Sequence, residues 1–392
     1  MKKALLVLAL GFCVIAAGPL PPHWSAPQLD RLDQWLHSSA KDGLTTGAAQ
    51  QPALDEARRT GDAARIDARA TQAALALLEA YRNGCCNAAL RTDWTIPADP
   101  APADPQAALA EALTHDRLDA LFTAARPSHP FYLALRVAYD RETDPARRAV
   151  LAANLDRWRW MPRAPGKRYL LVNAAAFEAS LWDGGKLSGR WRVVVGKAKS
   201  PTPVFAATVS GVVLNPWWDI PPSIAAESVA AMVARNPAAA ARKGYVRTGD
   251  RYRQKPGPTN SLGRMKLVMP NPYSVYLHDS PAQALFGQDV RAYSHGCVRV
   301  GDALGLVAAL LAPQPGWDRA HIDAVVASRQ TATVKLDAPI PVYIAYFTAE
   351  PDENGAIRYF PDIYGRDNGA VTPGDKGDCT VPAALPAPAS AR

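Results

Sequence analysis

The sequence predicts an α+β protein, a helical N-terminal scaffold followed by a β-rich domain, on three observations. Up to about Arg159 the apolar residues recur at helical spacing, as in Ile66, Ala70, Ala73, Ala74, Leu77, Leu78 and Tyr81. Beyond Met161-Pro162 the period drops to two, first in residues 169–172 and 177–182. Thirty-five prolines punctuate an ordinary globular composition, 48% hydrophobic and 20% charged, which argues for stiff connections and interrupted elements. At 392 residues the chain suffices for two units with cores of their own.

Residues 1–18 have the parts of a secretory signal: Lys2-Lys3, an apolar run from Ala4 to Ala17, then Gly18-Pro19. The run is too short for a stable membrane span. Cleavage is expected near Ala17 or Gly18, with an uncleaved short anchor as the alternative because Pro19 hinders cutting before it. Phe12 is too bulky before Cys13 for lipoprotein processing. Residues 19–153 read as helical, broken by Pro97, Pro100, Pro102 and Pro105 before a helix near 107–124. A helical pair follows from Pro130 to Arg159, carrying Leu133, Leu135, Val137 and Tyr139, then Ala149, Leu151, Leu155 and Trp158. Strands are expected at 169–172, 177–182, 191–195, 204–214 and 340–347, with Asp183-Gly184-Gly185 as a turn. Residues 223–235 and 302–311 read as helices. The stretch 351–392 is expected to be a partly disordered tail, rich in Pro and Ala from Val381 onward.

Lysine and arginine outnumber aspartate and glutamate by 44 to 36, a net +8 that falls to +6 once Lys2 and Lys3 leave with the signal. The basic residues are scattered, with no dense block to track a phosphate backbone, so no nucleic acid is expected. In an exported protein this charge attracts anionic envelope polymers and carboxylate-bearing substrates. Export leaves Cys85, Cys86, Cys297 and Cys379. With Cys297 reduced, an oxidising compartment permits one disulfide and one odd thiol: Cys85 or Cys86 pairing with Cys379 is the first reading, and a strained vicinal bridge between Cys85 and Cys86 the second.

The chemistry is concentrated in Tyr293-Ser294-His295-Gly296-Cys297-Val298-Arg299 and, upstream, Tyr276-Leu277-His278-Asp279. A thiol of ordinary pKa, roughly 8.5, is mostly protonated at neutral pH, so an attacking cysteine needs a basic partner or a positive field. His278 is such a partner, since nineteen residues allow strand, turn and return strand. Gly296 lets the backbone turn sharply, and its N–H with that of Cys297 is expected to face an oxyanion. A lone cysteine is ordinarily a small buried hydrophobe. Its coincidence with Ser294, His295, Gly296, Arg299 and His278-Asp279 favours an activated thiolate and hence cysteine acyl transfer. The seven histidines are dispersed without ligand spacing, so no metal is expected. Trp158, Trp160, Trp217 and Trp218 read as packing residues before sugar-stacking ones.

Ser294 to Arg299 resemble the signature of the L,D-transpeptidase catalytic domain of the YkuD type, the cysteine enzymes of bacterial peptidoglycan. Asn154-Leu155-Asp156-Arg157-Trp158-Arg159-Trp160-Met161-Pro162, Asn215-Pro216-Trp217-Trp218-Asp219-Ile220-Pro221 and Pro256-Gly257-Pro258-Thr259-Asn260-Ser261-Leu262-Gly263 are similar to the larger, YcbB-like periplasmic branch. The resemblance implies a catalytic domain over 154–350, β-sandwich-like, with a helical lid inserted at 216–257. It implies Cys297 as nucleophile and His278 as base, oriented by the backbone carbonyl of Asp279. Gly296, Tyr276, His295, Arg299, Asp279, Ser294 and Asn260 would line the oxyanion or substrate side. No cofactor is required. The implied partners are peptidoglycan tetrapeptide stems and cell-wall synthesis proteins, in the periplasm of a Gram-negative bacterium. The implied reaction is a 3→3 crosslink between diaminopimelate residues. An L,D-carboxypeptidase, a crosslink hydrolase or a non-catalytic cell-wall scaffold are the alternatives. The branch usually carries a peptidoglycan-binding module that has no room in residues 128–153.

Overall fold

The computed structural model describes residues 22–84, 88–100 and 104–367, so the signal, Cys85, Cys86 and Cys379 lie outside the described residues. Seven helices form the first layer: α1 Ala26–Ser39, α2 Thr46–Thr60, α3 Ala63–Asn83, α4 Pro105–Thr114, α5 Leu118–Ala125, α6 Pro130–Arg141 and α7 Pro145–Arg159. Many prolines mark entries. Pro105, Pro130 and Pro145 open their helices, where a missing N–H costs nothing, and the side chains of Asp104, His129 and Asp144 cap the next free amides. The helical stripe Ala70, Ala73, Ala74, Leu77, Leu78 and Tyr81 of α3 is buried against α1 and α5 around Leu32, Leu36 and Phe122. The helix expected near 107–124 is two, because the chain turns through Asp116 at φ 52°.

The second layer is one nine-stranded sheet. Its strands are β1 Arg168–Asn173, β2 Glu178–Asp183, β3 Lys186–Gly196, β4 Phe205–Leu214, β8 Met265–Val268, β9 Leu277–His278, β10 Ala292–Ser294, β11 Val298–Val300 and β12 Ala332–Ala345. The eleven-residue β3 pairs with β2 along its first part and with β11 at Val193 and Val194, so the sheet closes on itself. Closure removes exposed edges, a property that alternation in single strands does not reveal. The apolar helix α11, Ala303–Leu311, buries Leu304, Leu306, Val307, Leu310 and Leu311 and packs against β3 and β8. The α12 helix, Arg319–Ala327, lies beside it.

Between β4 and β8 the chain leaves the sheet. Residues 216–257, expected as a helical lid, are helical in their first part but also carry strands: β5 Trp218–Asp219, β6 Tyr245–Thr248 and β7 Arg251–Gln254 form a small sheet in the order β5-β7-β6. The helical part runs through α8 Pro222–Ile224, a π segment Ala225–Val229, α9 Ala230–Arg235 and α10 Pro237–Arg242. Ile220, Ala225 and Val229 form a small core of its own with Trp218, Tyr245 and Tyr252.

The expected tail begins too early. Residues 351–367 fold back: β13 Ala349–Pro351 pairs with β14 Ile357–Tyr359, Tyr364 Oη donates to the Gly196 carbonyl (2.7 Å), and Arg157 pairs with Asp367 (2.7 Å). The Asn154-to-Pro162 motif clasps the layers together. Asn154 exchanges two hydrogen bonds with Thr348, and Trp158 stacks on Phe347 at 4.6 Å. Arg159 donates to Asp156 and to the Asp42 carbonyl, while the buried Asp42 carboxylate accepts from Tyr81, Tyr132 and Arg136. Trp158 and Trp160 are 3% and 2% exposed, which leaves no face for a sugar. Among the described residues no helix is long and apolar enough to cross a membrane.

Candidate active site

Cys297 sits in the turn between β10 and β11. Gly296 holds φ 112°, a conformation open to glycine, and Ser294 ties the turn: its Oγ donates to the Cys297 carbonyl (2.6 Å) and accepts from the Gly296 N–H (3.1 Å). Thr202 Oγ1 braces the same turn by donating to the Gly296 carbonyl at 2.9 Å. The Gly296 amide is therefore engaged and is not an oxyanion donor, contrary to the sequence expectation. A turn this tight buries that N–H, and a buried N–H needs an acceptor. The Cys297 N–H has no acceptor among the described residues and remains the available donor.

The sheet brings His278 to this turn. β9 lies parallel to β11, with Leu277 opposite Val298 and His278 opposite Arg299, and the Val298 N–H donates to the Tyr276 carbonyl at 2.9 Å. The pairing is parallel, so the eighteen intervening residues make a crossover through β10 rather than a return strand. His278 is 5% exposed, and its Nδ1 donates to the Asp279 carbonyl at 2.5 Å. A carbonyl only accepts, so Nδ1 carries the hydrogen and Nε2 carries the lone pair. Burial lowers the imidazole pKa to about 4; the Asp279 bond opposes this, and the Arg299 and Lys266 charges reinforce it. The Asp279 carboxylate accepts from the Arg264 backbone N–H and Nε, both at 2.8 Å. Gly263 permits this approach, since a Cβ there would stand 2.5 Å from Asp279 Cβ.

The thiol is half-buried and donates to the Ser274 carbonyl at 3.9 Å, while His278 Nε2 makes no hydrogen bond among the described residues. Burial pushes the Cys297 thiol up; a backbone hydrogen bond from Tyr276 and the charges of Arg299 and Lys266 partly offset it. The resting pair is thus neutral thiol and neutral imidazole, not the ready thiolate expected from sequence. Proton transfer belongs to the attack itself.

Residues 167–326 match the family model described as the L,D-transpeptidase catalytic domain, YkuD, and residues 20–138 match one described as a scaffold domain. Residues 167–326 are an L,D-transpeptidase catalytic domain. The Haemophilus influenzae protein named "Putative L,D-transpeptidase" is 31% identical over 238 residues, which are 55% of this chain and 48% of that protein. The chain thus spans about half the length of this curated relative. Solved structures that are similar include an L,D-transpeptidase from Mycobacterium smegmatis, 14% identical over 45% of this chain and 58% of that chain, with a TM-score of 0.24. Another is L,D-transpeptidase 3 from Mycobacterium tuberculosis in complex with a faropenem-derived adduct, 15% identical over 46% and 60%, with a TM-score of 0.26.

Within the transpeptidase domain, Cys297, His278, Tyr276, Ser294, Gly296, Arg299 and Asp279 converge on the β9–β11 ladder. Arg299 is half-buried with no hydrogen bond or ion pair among the described residues, an unpaired cation beside the thiol. Asn260, expected on the substrate side, is a correction. It is 0% exposed, its Nδ2 donates to the carbonyls of Pro216, Gln254 and Lys255, and its Oδ1 accepts from Leu262 N–H. It pins the two ends of the lid and has nothing left for a substrate. His295 faces the lid, with Nε2 at 2.9 Å from Glu227 Oε2.

Sequence reasoning passed over two residues here. Lys266 stands opposite His278 in the β8–β9 pairing, its Nζ 4.6 Å from the centre of the Tyr276 ring. Ser274 holds φ 55°, a strained value for a side-chain-bearing residue, and so aims its carbonyl at the thiol. The Asn271-Pro272-Tyr273-Ser274 turn signal was the clue to it.

Proposed function

We propose that the protein is an exported peptidoglycan L,D-transpeptidase that forms 3→3 crosslinks through a thioester on Cys297. The observation that supports this best is the parallel register that sets the Cys297 turn against a buried, neutral His278 whose Nδ1 is fixed by the Asp279 carbonyl. Cys297 Sγ attacks the carbonyl of the L-centre of diaminopimelate in a tetrapeptide stem, and its proton passes to His278 Nε2. The Cys297 N–H faces the oxyanion, the C–N bond to D-alanine breaks, and His278 returns the proton to the departing amine. The side-chain amine of a second diaminopimelate then attacks the thioester. Arg299 and Lys266 hold the donor's carboxylate, and the lid over 216–257 keeps water from the acyl-enzyme.

The protein and its Cys297→Ala variant, incubated with disaccharide-tetrapeptide, test the reading by chromatography and mass spectrometry. Dimers linked between two diaminopimelates from the intact protein alone are the expected result. Tripeptide alone means hydrolysis, and unchanged substrate favours a scaffold. Carbapenems are expected to add to Cys297 in intact-mass spectra. We also place the protein in the periplasm of a Gram-negative bacterium, in the YcbB-like branch, on the strength of the Lys2-Lys3 segment with its apolar run and the branch motifs. Cell fractionation checks the compartment.

A further inference from the structure

The proposed transfer needs a second substrate, a primary amine that arrives as an ammonium ion. The charges nearest the thiol are cations, Arg299 and Lys266, which repel it. Beside His295, two positions before Cys297 in the chain, stands an anion, Glu227. It lies in the π segment Ala225–Val229 of the lid, a kind of helical irregularity common at functional sites, and its Oε2 stands 2.9 Å from His295 Nε2. The two side chains are 55% and 41% exposed, open to a solute at the rim. Lys197 Nζ lies 3.4 Å from the same nitrogen, so the protein's own lysine already rests an ammonium against this imidazole. Nε2 serves one of these neighbours at a time: carrying hydrogen it donates to Glu227, and without it accepts from an ammonium.

We propose that Glu227 and His295 dock the acceptor's ammonium and take its extra proton, which makes this pair the determinant of transfer to an amine over transfer to water. The inference rests on the transpeptidase reading above. In the step, the ammonium gives one proton to His295 Nε2 and the free amine nitrogen bonds to the thioester carbonyl carbon. The C–S bond breaks, the second proton passes through His278 Nε2 to the departing sulfur, and Cys297 is again a thiol. His295 then releases its proton to solvent.

The test uses the full-length protein with tetrapeptide donor and graded tripeptide stem ending in diaminopimelate, which accepts but has no D-alanine to give. Each variant's D-alanine release without acceptor is its own reference. Glu227→Gln is expected to raise the tripeptide concentration for half-maximal crosslinking roughly fivefold, the scale of an exposed charge pair. Transfer to hydroxylamine, uncharged at neutral pH, should hold its ratio to that reference. His295→Asn should lower crosslinking at saturating tripeptide. Equal changes toward tripeptide and hydroxylamine would mean that Glu227 only latches the lid, and no change toward either would mean that it does nothing for the acceptor; both overturn the proposal. Failure of the intact protein to release D-alanine at all overturns the transpeptidase reading as well.

Discussion

Withdrawing the Cys297 sulfur from water raises its pKa, while the Tyr276 backbone bond, Arg299 and Lys266 pull it back without winning. Alkylation by iodoacetamide should therefore be slow at pH 7 and climb on the alkaline side of the ordinary thiol range, roughly 8.5. Arg299→Met should push that climb higher still. Fast labelling at neutrality would contradict a resting thiol. His278 fails differently. Its working form is the neutral imidazole, and with a pKa of about 4 that form persists down to about pH 5, so D-alanine release should hold through mildly acid pH and halve near 4. An acid limb near 6.5 would mean that the imidazole is not buried. Ser294, His295, Gly296 and Cys297 were legible because one turn places them in consecutive positions. Lys266, Ser274 and Glu227 were not, because strand register and a strained φ bring the first two to the thiol from 31 and 23 positions away, and a lid contact brings Glu227 to His295 from 68.

At the scale of elements, the lid hangs on two side chains. Gln254 donates to the carbonyls of Lys243 and Thr259 and accepts from Ser261 N–H, and Asn260 joins Pro216 to Gln254 and Lys255. Asn260→Ala leaves three carbonyls and the Leu262 N–H without their partner, a local cost of about 2–3 kcal/mol if water satisfies part of them. Hydrogen exchange should show lost protection over 216–257 with the nine-stranded sheet unchanged. Loss spread evenly over the sheet would mean that Asn260 supports the whole domain. Strands β1 to β4 were readable from their period of two, and α3 from its stripe; β8 to β11, of two to four residues each, were not. The lid's small sheet was not, because β5 has two residues and β6 and β7 four each, too short to show a period.

Across the whole molecule, the layers meet through buried charge. Arg159 is 1% exposed and Asp42 0%, and each has its partners, so removing either leaves an uncompensated ion. The sequence shows these arginines but not what faces them, since Asp42 lies 117 residues before Arg159. A separation of 177 residues likewise hides Glu350, which the fold buries beside Asn173 at 2.8 Å. Burial raises its carboxyl from 4.5 to about 7, against a weaker pull downward from the Asn173 bond. A raised carboxyl pKa gives stability that is fully present below 4.5 and lost as pH rises through about 7. His278 has the opposite sign: lowered from 6.5 to about 4, it gives stability present above 6.5 and lost as pH falls toward 4. At about 1.4 kcal/mol per pH unit, each is worth about 3 kcal/mol between pH 7 and 4.5, and the two nearly cancel. Half-buried His129, lowered by burial to about 3, adds to the acid loss. Glu350→Gln keeps an acceptor for Asn173 and removes the opposing titration. Chemical denaturation at pH 7 and 4.5 should then show the variant losing about 3 kcal/mol more than the intact protein on acidification. Parallel losses in the two proteins would mean that Glu350 titrates near its ordinary value, with water reaching it beneath β13.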